Sequence, residues 1–265
     1  MTQPEEHFER INPLWRSVFT GEVKKLQRGR AFFKFIAPLA DVRCRICLAP
    51  FEGMAAPLAR LMGRGPWHRN PHYCELCETM FRQQRGGAEL DIATLFADVR
   101  GSTQLASSMR PTEFGALMQR FYLAATKVFR ATDAVVDKMV GDEVIGLYFP
   151  GLTGDDYRRV AAQAALELLR VTGHGEGKTP WLSIGIGVHC GEAFVGSLGR
   201  AGDSYEFAVL GDTMNVGARL AAAAGPGEIL FSESMATYAD MSSEARTVEL
   251  KGIAGPAQVR VARLD

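Results

Sequence analysis

Four of the chain's five cysteines stand as two C-x2-C pairs, Cys44/Cys47 and Cys74/Cys77, with 26 residues between them. Two thiols at that spacing can turn both sulfurs onto one ion, and a folded loop brings a second pair to complete the shell. In a reducing compartment such pairs are metal ligands more often than disulfides. The constraint on folding is strong, because a segment of about 85 residues has a limited core and a bound metal adds folding energy it otherwise lacks. Structural zinc at Cys44, Cys47, Cys74 and Cys77 is the first reading, an iron–sulfur cluster is the alternative, and a disulfide pair comes third. His68 and His72 are read as surface or outer residues, since four cysteines already complete a site. Cys190 reads as a buried small residue at the end of a strand.

The cysteines also divide the chain. Residues 1–84 hold all four, and a polar, glycine-bearing run at 83–87 (QQRGG) reads as a joint to a second domain, 85–265. With 47% hydrophobic and 23% charged residues, both parts have globular composition. Thirty basic and thirty acidic side chains cancel, which disfavours a nucleic-acid partner. No apolar run is long enough to span a bilayer, and the polar, acidic start MTQPEEHFER is no secretory signal, so a cytoplasmic protein is expected. The segment Lys24 to Lys34 mixes basic and aromatic residues, as an anionic membrane surface would ask. A helix that packs its aromatics inward is the preferred reading.

The second part changes texture. Leu90 to Val99 reads as a buried strand, and Pro111 opens a long helix with Phe114, Leu117, Met118, Phe121, Tyr122 and Ala125 on one face. Ala134–Val140 and Val144–Phe149 form a hairpin about Gly141-Asp142. Asp155-Asp156 caps the next helix. Trp181–His189 is a strand, Thr213–Ala224 a helix, and short strands follow near Ile229, Val248 and Val259. The expected fold is α+β, a mixed sheet with packed helices.

Within that frame, Asp98 ends an otherwise apolar strand and Asp142 sits in the hairpin turn. Two such carboxylates side by side can hold two hard cations for in-line attack at phosphorus, while N–H groups of the following loop, Gly101-Ser102-Thr103, face phosphates. Taken singly, each residue is equally well a strand end or turn chemistry.

Taken together, FADVRGST (96–103), KMVGDEVIG (138–146) and VLGDTMNVGARL (209–220) resemble the catalytic domain of class III nucleotide cyclases. IGIGVHCGEAFVGSLG (184–199) and VELKG (248–252) add to the likeness. The resemblance implies a ferredoxin-like catalytic domain behind a small, mostly helical cysteine domain. It implies Asp98 and Asp142 as ligands of two magnesium or manganese ions, Asn215 orienting the ribose, and Arg219 neutralising the transferring phosphate. It further implies Lys138 as the reader of adenine N1, Lys251 on the terminal phosphates, and a head-to-tail homodimer that makes cyclic AMP from ATP. One position departs: Ala208 stands where adenylyl members carry an acceptor for the adenine amino group. A guanylyl cyclase and a catalytically silent nucleotide-binding scaffold are the competing readings. A diguanylate cyclase is disfavoured, because 96–103 and 209–220 have no counterpart there.

Overall fold

The computed structural model describes residues 13–264 apart from 39, 41, 69, 84, 85, 176, 200–204, 240, 241 and 254. The chain forms two compact units. Unit 1 comprises residues 1–90 with two later segments, 150–154 and 194–210; unit 2 holds 91–149, 155–193 and 211–265.

Unit 1 starts with helix α1 (13–20) and α2 (Lys24–Ile36). Then come α3 (Ala56–Leu61), the short hairpin β1 (Pro66–Trp67) and β2 (Asn70–Cys74), and α4 (Glu75–Gln83). Its centre is aromatic. Trp15 stacks on Phe81 at 5.2 Å between ring centroids, and Phe207 joins them from the 194–210 segment. Arg30, on α2, is buried, and its guanidinium donates to the carbonyls of Ile46 and, at 3.0 Å, Leu152. A buried cation is tolerable only with its donors satisfied, so these bonds tie α2 to the cysteine loop and to 150–154. The 194–210 segment is itself a hairpin, Phe194–Gly199 against Tyr205–Leu210.

Strand β3 runs Gly86–Val99, four residues earlier than the sequence pattern suggested. Part of the expected joint, 84 and 85, lies outside the described residues, but Gly86 and Gly87 are strand. Gly87 approaches the backbone of Val195 so closely that a Cβ would come within 2.4 Å of its carbonyl oxygen. The glycine there serves close backbone packing, which composition alone reads as a linker.

In unit 2 the chain continues through α5 (Ser102–Ser108), α6 (Pro111–Ala131), β4 (Val135–Val140), β5 (Glu143–Tyr148) and α8 (Tyr157–Val171), with the four-residue α7 (Pro150–Thr153) before α8 belonging to unit 1. β6 (Ile184–Gly199), β7 (Tyr205–Leu210), α9 (Asp212–Ala223), β8 (Ile229–Ser232), α10 (Glu233–Ala236), β9 (Glu244–Glu249) and β10 (Pro256–Ala262) follow, the end of β6 and all of β7 belonging to unit 1. The sheet order is β4-β5-β3-β6-β8-β10-β9, with β7 paired to β6. The parallel pairing of β6 with β8 among antiparallel ones makes it mixed.

The apolar periodicity of α6 is realised. Met118, Phe121, Ala125, Val128 and Phe129 are buried, while Phe114, Leu117 and Tyr122 are partly so. The Glu113 carboxylate starts this helix, accepting from the Arg110 amide at 3.0 Å and from the Arg110 guanidinium. Asp156 is the N-cap of α8 but makes no side-chain cap bond; its carboxylate lies 3.7 Å from Arg159 instead. β6 is one 16-residue strand that runs on through Cys190, which is buried with its thiol 3.3 Å from the Ser234 carbonyl.

Glu228, ahead of β8, anchors the sheet's far edge. Its side chain is 9% exposed and accepts from Arg246 at 2.8 and 2.9 Å, from the Gly225 amide, and from Arg263. The Arg246 hydrogen bonds outweigh burial and hold its carboxyl at about 2. A depressed acid stabilises the fold fully above the ordinary carboxylate range, and loses that contribution as pH falls toward 2. Glu228→Gln is therefore expected to cost about 1–3 kcal/mol at neutral pH, with both arginines reaching solvent. Urea unfolding at pH 7 and pH 3 checks this: the gap between wild type and variant should narrow at the lower pH.

Candidate active site and metal centre

The hairpin register builds the carboxylate cluster. β3 and β5 are antiparallel with Asp98 opposite Glu143, and the Val99 amide donates to the Asp142 carbonyl at 3.1 Å. Two side chains far apart in sequence, Asp98 and Asp142, are thereby set beside one another at the open end of the sheet. Burial raises the Asp98 pKa; the Arg100 charge opposes this, and Asp142, close enough to share a hydrogen bond, raises it further. Glu143 is raised as well, by burial and then by both aspartates. Three carboxylates in one place repel unless a cation joins them, the chemistry of a divalent-ion site.

Two residues that the motifs did not single out hold this cluster in place. Arg100 ion-pairs with Asp98 and also donates to the carbonyls of Ala222 and Ala224 at 3.2 and 3.1 Å, near the end of α9. Tyr122 donates its hydroxyl to the Gly141 carbonyl at 2.6 Å, pinning the turn that carries Asp142. The signal for Tyr122 was present in the α6 periodicity, but the hydroxyl's partner is a long-range contact that no periodicity reveals.

α9 carries Asn215 and Arg219 one turn apart. It lies tight against the sheet because two glycines remove side chains at the contact. A Cβ on Gly187 would come within 2.3 Å of the Ala221 nitrogen, and one on Gly217 within 2.7 Å of the Phe96 ring. Asn215 is exposed, and its side chain makes no hydrogen bond among the described residues. Arg219 is half-buried, and its guanidinium lies 3.3 Å from a Cβ position on Gly252, beside Lys251. Neither Arg219 nor the exposed Lys251 has an ion-pair partner among the described residues. Lys251, Gly252, Ile253 and their neighbours Glu249, Leu250, Gly255 and Pro256 line an open cavity of 510 Å³.

The structure thus brings Asp98 and Asp142 together, and Arg219 to the Lys251–Gly252 turn. Gly101 is the N-cap of α5, and Ser102 and Thr103 are its first residues. Lys138 lies in β4, where the ladder to β5 shifts register between Val136 and Met139; its side chain lies outside the described residues. Ala208 is in β7, opposite Gly196 and in unit 1.

The four paired cysteines meet in unit 1. Their sulfurs all lie within 4.8 Å of one another, all four residues are buried, and Cys47 and Cys74 sulfurs are 3.6 Å apart. Four thiolates bound to one ion at about 2.3 Å sit about 3.8 Å from each other, so the set fits a single tetrahedral metal. A multi-iron cluster places irons and sulfides between its cysteines and spreads them wider. The Cys74 amide donates to the Cys44 sulfur at 3.3 Å, the bond that typically steadies a metal thiolate. Burial pushes the Cys44 thiol up, while hydrogen bonding from Cys44 holds Cys47 down. Arg64, unmarked by any motif, bonds to Cys47; burial works against its charge, but the thiols of Cys47, Cys74 and Cys77 outweigh it. His72 is not a member of the group.

Against known proteins, residues 88–261 match the family described as the adenylate and guanylate cyclase catalytic domain. An adenylate cyclase of Anabaena cylindrica is 28% identical over 130 residues, 48% of this chain and 26% of that protein. An uncharacterized protein of Mycobacterium tuberculosis is 30% identical over 170 residues, 62% of this chain and 30% of that one. The chain therefore spans under a third of the length of these curated relatives. Among solved structures, the guanylyl cyclase Cya2 superposes with a TM-score of 0.58 at 26% identity, over 68% of this chain and 95% of that one. The adenylyl cyclase CyaB from P. aeruginosa gives 0.56 at 22%, covering 67% and 96%. The α+β sheet of the present chain is the fold of these cyclase domains. No helix among the described residues is long and apolar enough to cross a membrane.

Proposed function

The chain belongs to the adenylate and guanylate cyclase catalytic domain family, and from that premise we propose that it converts ATP to 3′,5′-cyclic AMP and pyrophosphate as a homodimer. The observation that carries this reading is the β3–β5 register, which sets the Asp98 and Asp142 carboxylates side by side. These two carboxylates would hold a pair of divalent ions, magnesium or manganese, which when bound supply acidification of the ribose 3′-hydroxyl and charge neutralisation on the triphosphate. Arg219, a half-buried guanidinium with no anion among the described residues, is suited to the charge that develops on the α-phosphate. The 3′-oxygen forms its bond to the α-phosphorus as the bond to pyrophosphate breaks, and the hydroxyl proton passes to solvent water. Asn215 orients the ribose, Lys251 meets the terminal phosphates, and backbone N–H groups at Gly101-Ser102-Thr103 face them.

Lys138 donates to adenine N1, an acceptor in adenine and a donor in guanine, which favours ATP. Ala208 favours a second reading, a guanylyl cyclase, because alanine offers nothing to the adenine amino group. At roughly 1 kcal/mol for a neutral hydrogen bond, its absence relaxes the choice of purine without reversing it. Residues 85–265 act as the catalytic domain and 1–84 as a regulatory or dimerisation domain around one structural zinc ion. We place the protein in the cytoplasm, where these thiols stay reduced.

Mass spectrometry of the products from ATP or GTP, with magnesium or manganese, tests the reaction: cyclic AMP is expected in excess, and equal or greater cyclic GMP would overturn the purine assignment. The dimer is tested by complementation. Asp98→Ala and Arg219→Ala chains are each inactive alone, and their mixture should recover about a quarter of the wild-type rate by random re-pairing. A mixture as inactive as its components would sink the shared site.

A further inference from the structure

Unit 1 exposes apolar side chains that its own core does not use. Among the described residues, Phe35 and Leu61 at 85% and Met54 at 100% are the most exposed large apolar side chains, and all three lie in unit 1. Phe32, at 41%, lies one turn before Phe35 on α2. The expectation that this segment packs its aromatics inward holds for Phe33, which is fully buried, and fails for Phe32 and Phe35.

The helical repeat explains the split. At about 100° per residue, Lys24, Arg28, Phe32 and Phe35 fall along one stripe with Lys25 at its margin, opposite Phe33 and Arg30. The outward face of α2 is therefore cationic in its first half and aromatic in its second. Lys24, Lys25 and Arg28 are exposed and form no ion pair among the described residues, and the helix contains no acidic residue. Charge is also polarised along the whole chain. Residues 1–84 carry 13 Lys and Arg against 8 Asp and Glu, whereas 85–265 carry 17 against 22.

We propose that the outward face of α2 binds the surface of an anionic phospholipid bilayer. Lysine and arginine on a helix lying in the interface meet headgroup phosphates, and neighbouring phenylalanines reach the acyl boundary. Charge complementarity selects this occupant over a second copy seated α2 against α2, whose helix presents the same cations and no carboxylate to pair them. The bilayer would hold the protein peripherally.

Co-sedimentation of the whole 265-residue, metal-loaded chain with vesicles tests this, using phosphatidylcholine alone or with about one third phosphatidylserine. Binding to the anionic vesicles is expected, at least about tenfold weaker on the neutral ones and weaker again in high salt. Phe32→Ser with Phe35→Ser, and separately Lys24→Glu with Lys25→Glu, should each lower it about tenfold or more, while the metal content and far-UV spectrum stay those of the wild type. These are solvent-facing positions, so a variant that keeps its metal and spectrum has tested the surface and not the fold. Wild-type protein left in the supernatant with anionic vesicles would overturn the proposal. So would equal binding to neutral vesicles, or variants that bind undiminished. A change in the lipid-free sedimentation coefficient of the phenylalanine variant, with vesicle binding intact, would assign the face to a second copy instead.

Discussion

Asp98→Asn is expected to lower cyclic-nucleotide formation by at least about a thousandfold while leaving the fold intact. The side chain keeps its size and its neighbours, but an amide is a poor ligand for a hard cation and carries no charge to offset it. Thermal unfolding of metal-free protein should occur at the same temperature or higher, because the substitution removes one of three mutually repelling carboxylates, Asp98, Asp142 and Glu143. Initial rates with ATP at saturating manganese, measured beside a melting curve, separate the two effects. Residual activity within about tenfold of wild type would remove Asp98 from the reaction and with it the two-carboxylate reading. Loss of activity with a collapsed melting temperature would show that Arg100, which ion-pairs with Asp98 and donates to the carbonyls of Ala222 and Ala224, makes the residue structural instead.

Cys47→Ser is the second large effect, and it acts on unit 1. Purified wild type is expected to carry one zinc per chain and no visible absorption, since the four sulfurs lie within 4.8 Å of one another and suit one tetrahedral ion. Removing one thiolate should cost several kcal/mol of unit 1 stability and most of the bound metal. A strong chelator should have the same consequence, read as lost near-UV signal from the stacked Trp15 and Phe81. Two or four irons per chain with a brown colour would overturn the single-ion geometry. Metal-free protein that melts as the holo form does would show that the aromatic stack alone holds the unit together.

Much of the candidate site was legible beforehand because its chemistry is local. Asp98 ends an apolar strand, Asp142 follows the glycine of a hairpin, and Asn215 and Arg219 lie one helical turn apart; each relation spans a few residues. The two C-x2-C pairs were equally plain, as knuckle spacing is a property of adjacent positions. Secondary structure followed wherever periodicity was strong, as along α6. It failed where a residue's reason lay elsewhere in the chain: Gly86 and Gly87 look like a joint until the Val195 backbone is beside them.

Sequence by itself therefore determined the residue types, their local geometry and the class of chemistry they suit. Tertiary structure decided what meets what. It set Asp98 opposite Glu143, put Arg64 against Cys47, drew segments 150–154 and 194–210 into the cysteine unit, and turned Phe33 in while leaving Phe32 and Phe35 out. The physical reason is the same in each case. Strand register, burial and charge pairing are settled by contacts between distant segments, whose energies depend on the whole packed chain and leave no periodic trace in it.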